Sequence, residues 1–146
     1  MRTLLFTILV AAAAILQIAG VSIAGITPNF FLIALCIAAL GSKDFLSFGI
    51  VMIIGLIIIR FQPGMPWQSL VVAGFGAALF LIKRYLPWLE IFTVVFGLAT
   101  LTILFYLVVD PGFLFKNYPV VFIEMLYNIG IGSALFFIVP RASTRK

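Results

Sequence analysis

The 146-residue sequence predicts an all-α, polytopic integral membrane protein, a single domain of six transmembrane helices with both termini cytoplasmic. Three observations predict it. The chain is 65% hydrophobic and only 9% charged, against about 25% charged in ordinary globular chains, so lipid must solvate most of its surface. Its apolar residues fall into six runs separated by turn chemistry or charge. Its basic residues divide unevenly between the two sets of connections that six runs create.

The first run, 4–24, is opened by Arg2 and is longer than the 7–15 residue core of a signal peptide, although Ser22 and Ala24 imitate a cleavage site. It is read as an uncleaved span. The second and third runs, 28–41 and 45–59, are short for a bilayer core about 30 Å thick. A re-entrant hairpin would strand Lys43 and Asp44 at membrane depth, at a cost of a few kcal/mol, so two short spans with the charged turn in water are expected. Ser42 or Asp44 can cap the third helix, and Asn117 stands close enough to help start the sixth. The fourth and fifth runs are 67–82 and 88–109, and the sixth is 119–139. Pro28, Pro66, Pro87 and Pro119 sit at or just before helix starts, where a missing N–H costs nothing. Asp110, Pro111 and Gly112 read as a turn, and Glu90 as a charge favoured in the first turn of its helix.

With six spans, one side carries Arg2, Lys43, Lys83, Arg84, Arg141, Arg145 and Lys146, and the other only Arg60 and Lys116. Positive residues mark the cytoplasmic face, which places both termini inside. The same bias accounts for the net charge of +5 without nucleic acid. Arg60, with Phe61 and Trp67 nearby, then falls at the outer end of the third helix. A cation there can snorkel to the headgroups while aromatics occupy the interfacial belt, so Arg60, Trp67 and Trp88 read as interfacial anchors. A partner or substrate contact is the sharper alternative for Arg60.

The absence of histidine and the single cysteine, Cys36, remove most metal sites, disulfides and His-based acid–base chemistry. Cys36, inside an apolar run, reads as a small hydrophobe. With no phosphate loop, no acidic cluster and only short loops between spans, no enzyme, cofactor or metal is expected. Polar residues inside spans are the place to look for function. Glu124, Asn128 and Gly132 recur at i, i+4 and i+8 in the sixth run, with Tyr127 one position off. Glu124 lies about five residues in, roughly 7 Å deep at 1.5 Å per residue. Its carboxyl has three routes: protonation, a bond to Asn128, or a neighbour such as Arg60. The stripe is either a packing seam or an ion or substrate contact. Ala73-x-x-x-Ala77 and Gly74-x-x-x-Ala78 in the fourth run have spacings that let helices approach closely. Thr93, Gly97 and Thr100 share a face of the fifth, and Ala11–Ala14 with Gln17 mark the first. All of these are candidates for packing inside the chain or against a partner.

The stretch GITPNFFLIALCIAALGSKDFLSFGIVMIIGLIII resembles the family of the rod-shape-determining membrane protein MreD. Pro28, Asn29, Gly49, Gly55 and Leu56 occupy that family's Pro-Asn opening and Gly-rich third helix. EMLYNIGIGSALFFIVPR is similar to its last helix, with Tyr127, Asn128, Pro140 and Arg141. The family often has an acidic residue shortly after the Gly-Leu stretch. This chain has Ile57, Ile58, Ile59 and Arg60 there, so no role of that carboxylate transfers. The resemblance implies a fold related to the substrate-binding components of energy-coupling-factor transporters. It also implies a non-enzymatic scaffold in a bacterial inner membrane, organising cell-wall elongation and cell shape. The implied partners are lipid, an MreC-like protein, cytoskeletal MreB, and the glycan polymerase and transpeptidase pair. The alternative is a vitamin-binding subunit of such a transporter. The Ala-x-x-x-Ala docking motif of those subunits is missing from the first helix, and a first outer loop of about Gly25 to Thr27 is too short for a substrate lid.

Overall fold

The computed structural model describes residues 2–61, 66–85 and 90–139. Among them the fold is all-helical, with seven α-helices and no strand. They are α1 (Arg2–Ile18), α2 (Phe30–Gly41), α3 (Phe45–Ile59), α4 (Pro66–Ile82), α5 (Glu90–Val109), α6 (Pro111–Lys116) and α7 (Tyr118–Ile138), with a 3-10 turn at Lys83–Tyr85 after α4. Pro87, Trp88, the side chains of Arg84 and Glu90, and the tail with Arg141, Arg145 and Lys146 lie outside the described residues.

The helices pack around α2, which touches α1, α3, α4, α5 and α7. Every residue from Phe31 to Ala39 is buried. An unbroken apolar run with no polar face is what a helix walled on all sides requires. The other helices each bury one face and expose large apolar side chains on the other, such as Ile8 and Ile15 on α1, Ile53 and Ile57 on α3, and Phe122 and Leu126 on α7. Two helices are long and apolar enough to cross a membrane, over Ile91–Val109 and Tyr118–Ile138, with only 22% and 28% of those windows buried. At 12 residues α2 reaches about 18 Å.

Local chemistry sets the ends. Asp44 caps α3, its Oδ1 accepting from the Ser47 N–H at 2.7 Å and its Oδ2 from the Ser47 hydroxyl at 2.9 Å. Ser47 therefore holds the Asp44 carboxyl below the usual carboxylate range, through its N–H first and then its hydroxyl. Three expectations are corrected. The first helix stops at Ile18, not residue 24. Gly20 takes φ +64, its N–H reaches Gln17 O and that of Val21 reaches Leu16 O, the left-handed ending that glycine adopts at least cost. The first connection is accordingly 19–29, not 25–27, and it is pinched by an Ile23–Ile26 bridge around Ala24 and Gly25, both at positive φ. The expected turn at Asp110 opens a short helix instead, α6, because Asp110 caps it through the Phe113 N–H and Pro111 starts it. Asn117 does stand at the start of α7, but its side chain makes no capping bond.

At the opposite end from Arg60, Lys83 closes the bundle. Its Nζ donates to Ala39 O at 2.6 Å and Ser42 O at 2.5 Å, meeting the C-terminal carbonyls of α2, where a cation is favoured. It also lies 4.0 Å from the centre of the Phe80 ring. Burial lowers the Lys83 ammonium to about 8, with Asp44 pulling it partly back up.

Candidate functional site

The polar residues gather at the Arg60 end, where α1, α3 and α5 finish and α2, α4 and α7 begin. Asn29 caps α2, its Oδ1 accepting from the Leu32 N–H at 3.0 Å. Its own N–H donates 2.9 Å to Asn128 Oδ1 on α7. Asn128 Nδ2 donates to Thr102 Oγ1 on α5 at 3.0 Å, and the Thr102 hydroxyl in turn donates to Leu98 O at 2.7 Å. One turn nearer the end, the Tyr106 hydroxyl donates to Glu124 Oε2. Asn29, Thr102, Glu124 and Asn128 are all buried. Buried polar groups are costly unless paired. Here they pair with one another and tie α2, α5 and α7 together.

Glu124, Asn128 and Gly132 do share the buried face of α7, with Val121 and Phe136. Tyr127 is half-buried beside it. Of the routes open to the Glu124 carboxyl, Tyr106 takes the place proposed for Arg60, which is exposed at the end of α3. Gly132 is a close-approach point, since a Cβ there would stand 2.2 Å from Leu98 Cδ1 and 3.5 Å from Ile33 Cγ2. The two α4 spacings part company. Ala73 is buried and Ala77 half-buried, but Gly74 and Ala78 are exposed and a Cβ on Gly74 meets nothing within 4 Å. The second spacing therefore packs nothing within this chain, and the residue that brings α4 close to α2 and α3 is Gly76, facing Leu35 and Phe48. Thr100 is exposed as well. Trp67 is 47% exposed and Phe61 80% exposed, while Trp88 lies outside the described residues.

Sequence reasoning missed Thr102 and Tyr106, although a signal existed: they stand at i and i+4 on α5, as Glu124 and Asn128 do on α7. It also missed a cavity against this network. Gln17, Asn29, Gln68 and Ser69 line it with Phe31, Ile59, Val72 and Phe105, leaving about 40 Å³ for the centres of water-sized groups. Gln17 Oε1 is, among the described residues, the buried side-chain oxygen without a hydrogen-bond partner. No three His, Cys, Asp or Glu side chains cluster among those residues. Chemically the arrangement offers amides and hydroxyls that hold helices together or hold a hydrogen-bonding guest, and one carboxyl engaged by a phenol. Comparison with protein-family models, with curated proteins and with solved structures finds no match to this chain.

Proposed function

We propose that the chain is a six-span protein of a bacterial inner membrane, with both termini cytoplasmic, acting as a non-enzymatic scaffold of the MreD kind. On this reading it organises cell-wall elongation through helix contacts with an MreC-like protein and with the glycan polymerase and transpeptidase pair. The observation that carries it is the distribution of polarity. Large apolar side chains point outward from every long helix except α2, while Asn29, Thr102, Tyr106, Glu124 and Asn128 bond to one another across α2, α5 and α7. The face left for partners is apolar helix, including the exposed Gly74 and Ala78 on α4, and small residues of this kind let membrane helices approach. Arg60, Phe61 and Trp67 fit a belt at the outer boundary.

The connection over 19–29 is longer than the sequence suggested, which favours the vitamin-transporter alternative as far as a lid is concerned. The cavity described above, at about 40 Å³, is not itself a vitamin site, being far below the roughly 300–1,000 Å³ of small-molecule sites. Affinity purification from detergent-solubilised membranes, with mass spectrometry of what co-purifies, tests the reading. An MreC-like protein and a glycan polymerase are expected. An ATPase cassette with its coupling protein in their place would overturn the scaffold in favour of the transporter.

A further inference from the structure

The cavity beside Asn29 has a chemistry that the scaffold reading does not use. Its polar lining is uncharged, made of the amides of Gln17, Asn29 and Gln68 and the Ser69 hydroxyl. Gln17 Oε1 is buried there without a donor, and leaving an acceptor unpaired carries a desolvation cost that a bound donor relieves. The volume suits two or three water-sized groups, since each needs roughly 10–15 Å³ for its centre. That is the size of a short polyol tip, not of a vitamin.

The rim supplies the second half of a recognition site. Ile59 lines the cavity, and the next residue is the exposed Arg60. Gln68 lines it too, and the residue before it is the half-exposed Trp67. A guanidinium pairs with phosphate through two parallel N–H donors, and Trp and Arg at a helix end lie at headgroup depth in a bilayer. An exposed cation one residue beyond the lining and one buried neutral acceptor within it match a phosphodiester carrying free hydroxyls.

We propose that this end of the bundle binds the glycerol headgroup of an anionic phospholipid, its phosphate on Arg60 and its hydroxyls donating to Gln17 Oε1. The proposal rests on the membrane reading above but not on the scaffold role. A free glycerol phosphate presents the same chemistry as the lipid, so the test separates the two sources. Native mass spectrometry of the detergent-purified protein compares added phosphatidylglycerol with phosphatidic acid, which keeps the phosphate and lacks the glycerol hydroxyls. Wild-type protein should retain phosphatidylglycerol in preference by roughly three- to tenfold, the size that one or two added hydrogen bonds give. Gln17→Leu and Gln68→Leu should abolish the preference while retaining both lipids alike. Gln17→Leu should unfold at the same temperature or higher, because it removes an unpaired buried acceptor, so loss of preference would not reflect misfolding. Equal retention of the two lipids by wild type, or a preference surviving both substitutions, would overturn the site. Displacement of the lipid by millimolar glycerol phosphate would overturn the lipid as its occupant. A protein recovered in the soluble fraction without detergent would instead sink the membrane reading, a distinct result.

Discussion

Asn128 accepts from the Asn29 N–H and donates to Thr102 in a fully buried setting, so one side chain joins three helices. Asn128→Leu keeps the volume but leaves the Asn29 N–H without its acceptor, and should lower stability in detergent by about 1–3 kcal/mol. Glu124→Gln is expected to be milder, because the amide oxygen still accepts from Tyr106 and single interhelical hydrogen bonds in membranes average about 0.6 kcal/mol. Gly132→Leu should cost more than Glu124→Gln. Its Cβ alone would stand 2.2 Å from Leu98 Cδ1, and overpacking costs typically about 1–3 kcal/mol. Thermal unfolding of the three purified variants measures the ranking. Complementation that is lost in Glu124→Gln, with folding intact, would reverse it and make the stripe a ligand contact. The stripe was legible in the sequence because i, i+4, i+8 spacing fixes a helix face without knowledge of the neighbours. Its partners were not, because Thr102 and Tyr106 are brought opposite by the antiparallel approach of α5 and α7, which spacing in one helix does not encode.

At the scale of the element, α3 was readable to the residue. Asp44, one of its two candidate caps, marks its start and a saturated apolar run its length. The bounds of α4, α5 and α7 fall within two residues of expectation for similar reasons, with prolines at the starts. The end of α1 was misread because residues 19–24 stay apolar past Gly20, so hydropathy continues where the backbone turns left-handed. The Asp110-Pro111 start of α6 carries a cap signal that, in sequence, reads equally as a turn. One end has a pH signature. Lys83 caps α2 while its ammonium is lowered by burial from 10.5 to about 8. Between those values the unfolded chain binds more protons than the folded one, so stability rises with pH across this window and the gain is lost as pH falls through about 8. Unfolding midpoints in detergent from pH 7.5 to 10 should therefore climb, by the linkage slope of one group at most. In Lys83→Met the climb should vanish, with a lower midpoint throughout because the Ala39 and Ser42 carbonyls lose their donor. A climb that persists in the variant would assign it to another group.

For the whole molecule, orientation rests on the division of charge, with Lys43 and Lys83 at one end and Arg60 and Lys116 at the other. In a Cys36→Ala background, a membrane-impermeant thiol reagent added outside intact cells should label Ser22→Cys in the 19–29 connection and spare Lys43→Cys. Both residues are exposed, so the reverse pattern would invert the protein and double labelling would remove a span. The core position of α2, the second helix in the chain, also bears on how the protein is made. Two of its flanks, α1 and α3, are its sequence neighbours, but α4, α5 and α7 lie downstream. At ~5–20 residues per second, α2 waits on the order of ten seconds between its own synthesis and the arrival of α7. Its central hub therefore exists before most of its walls do. A chain truncated after α3 would leave α2 with only α1 and α3 beside it, and the apolar faces that α4, α5 and α7 cover would be open to quality-control chaperones and proteases.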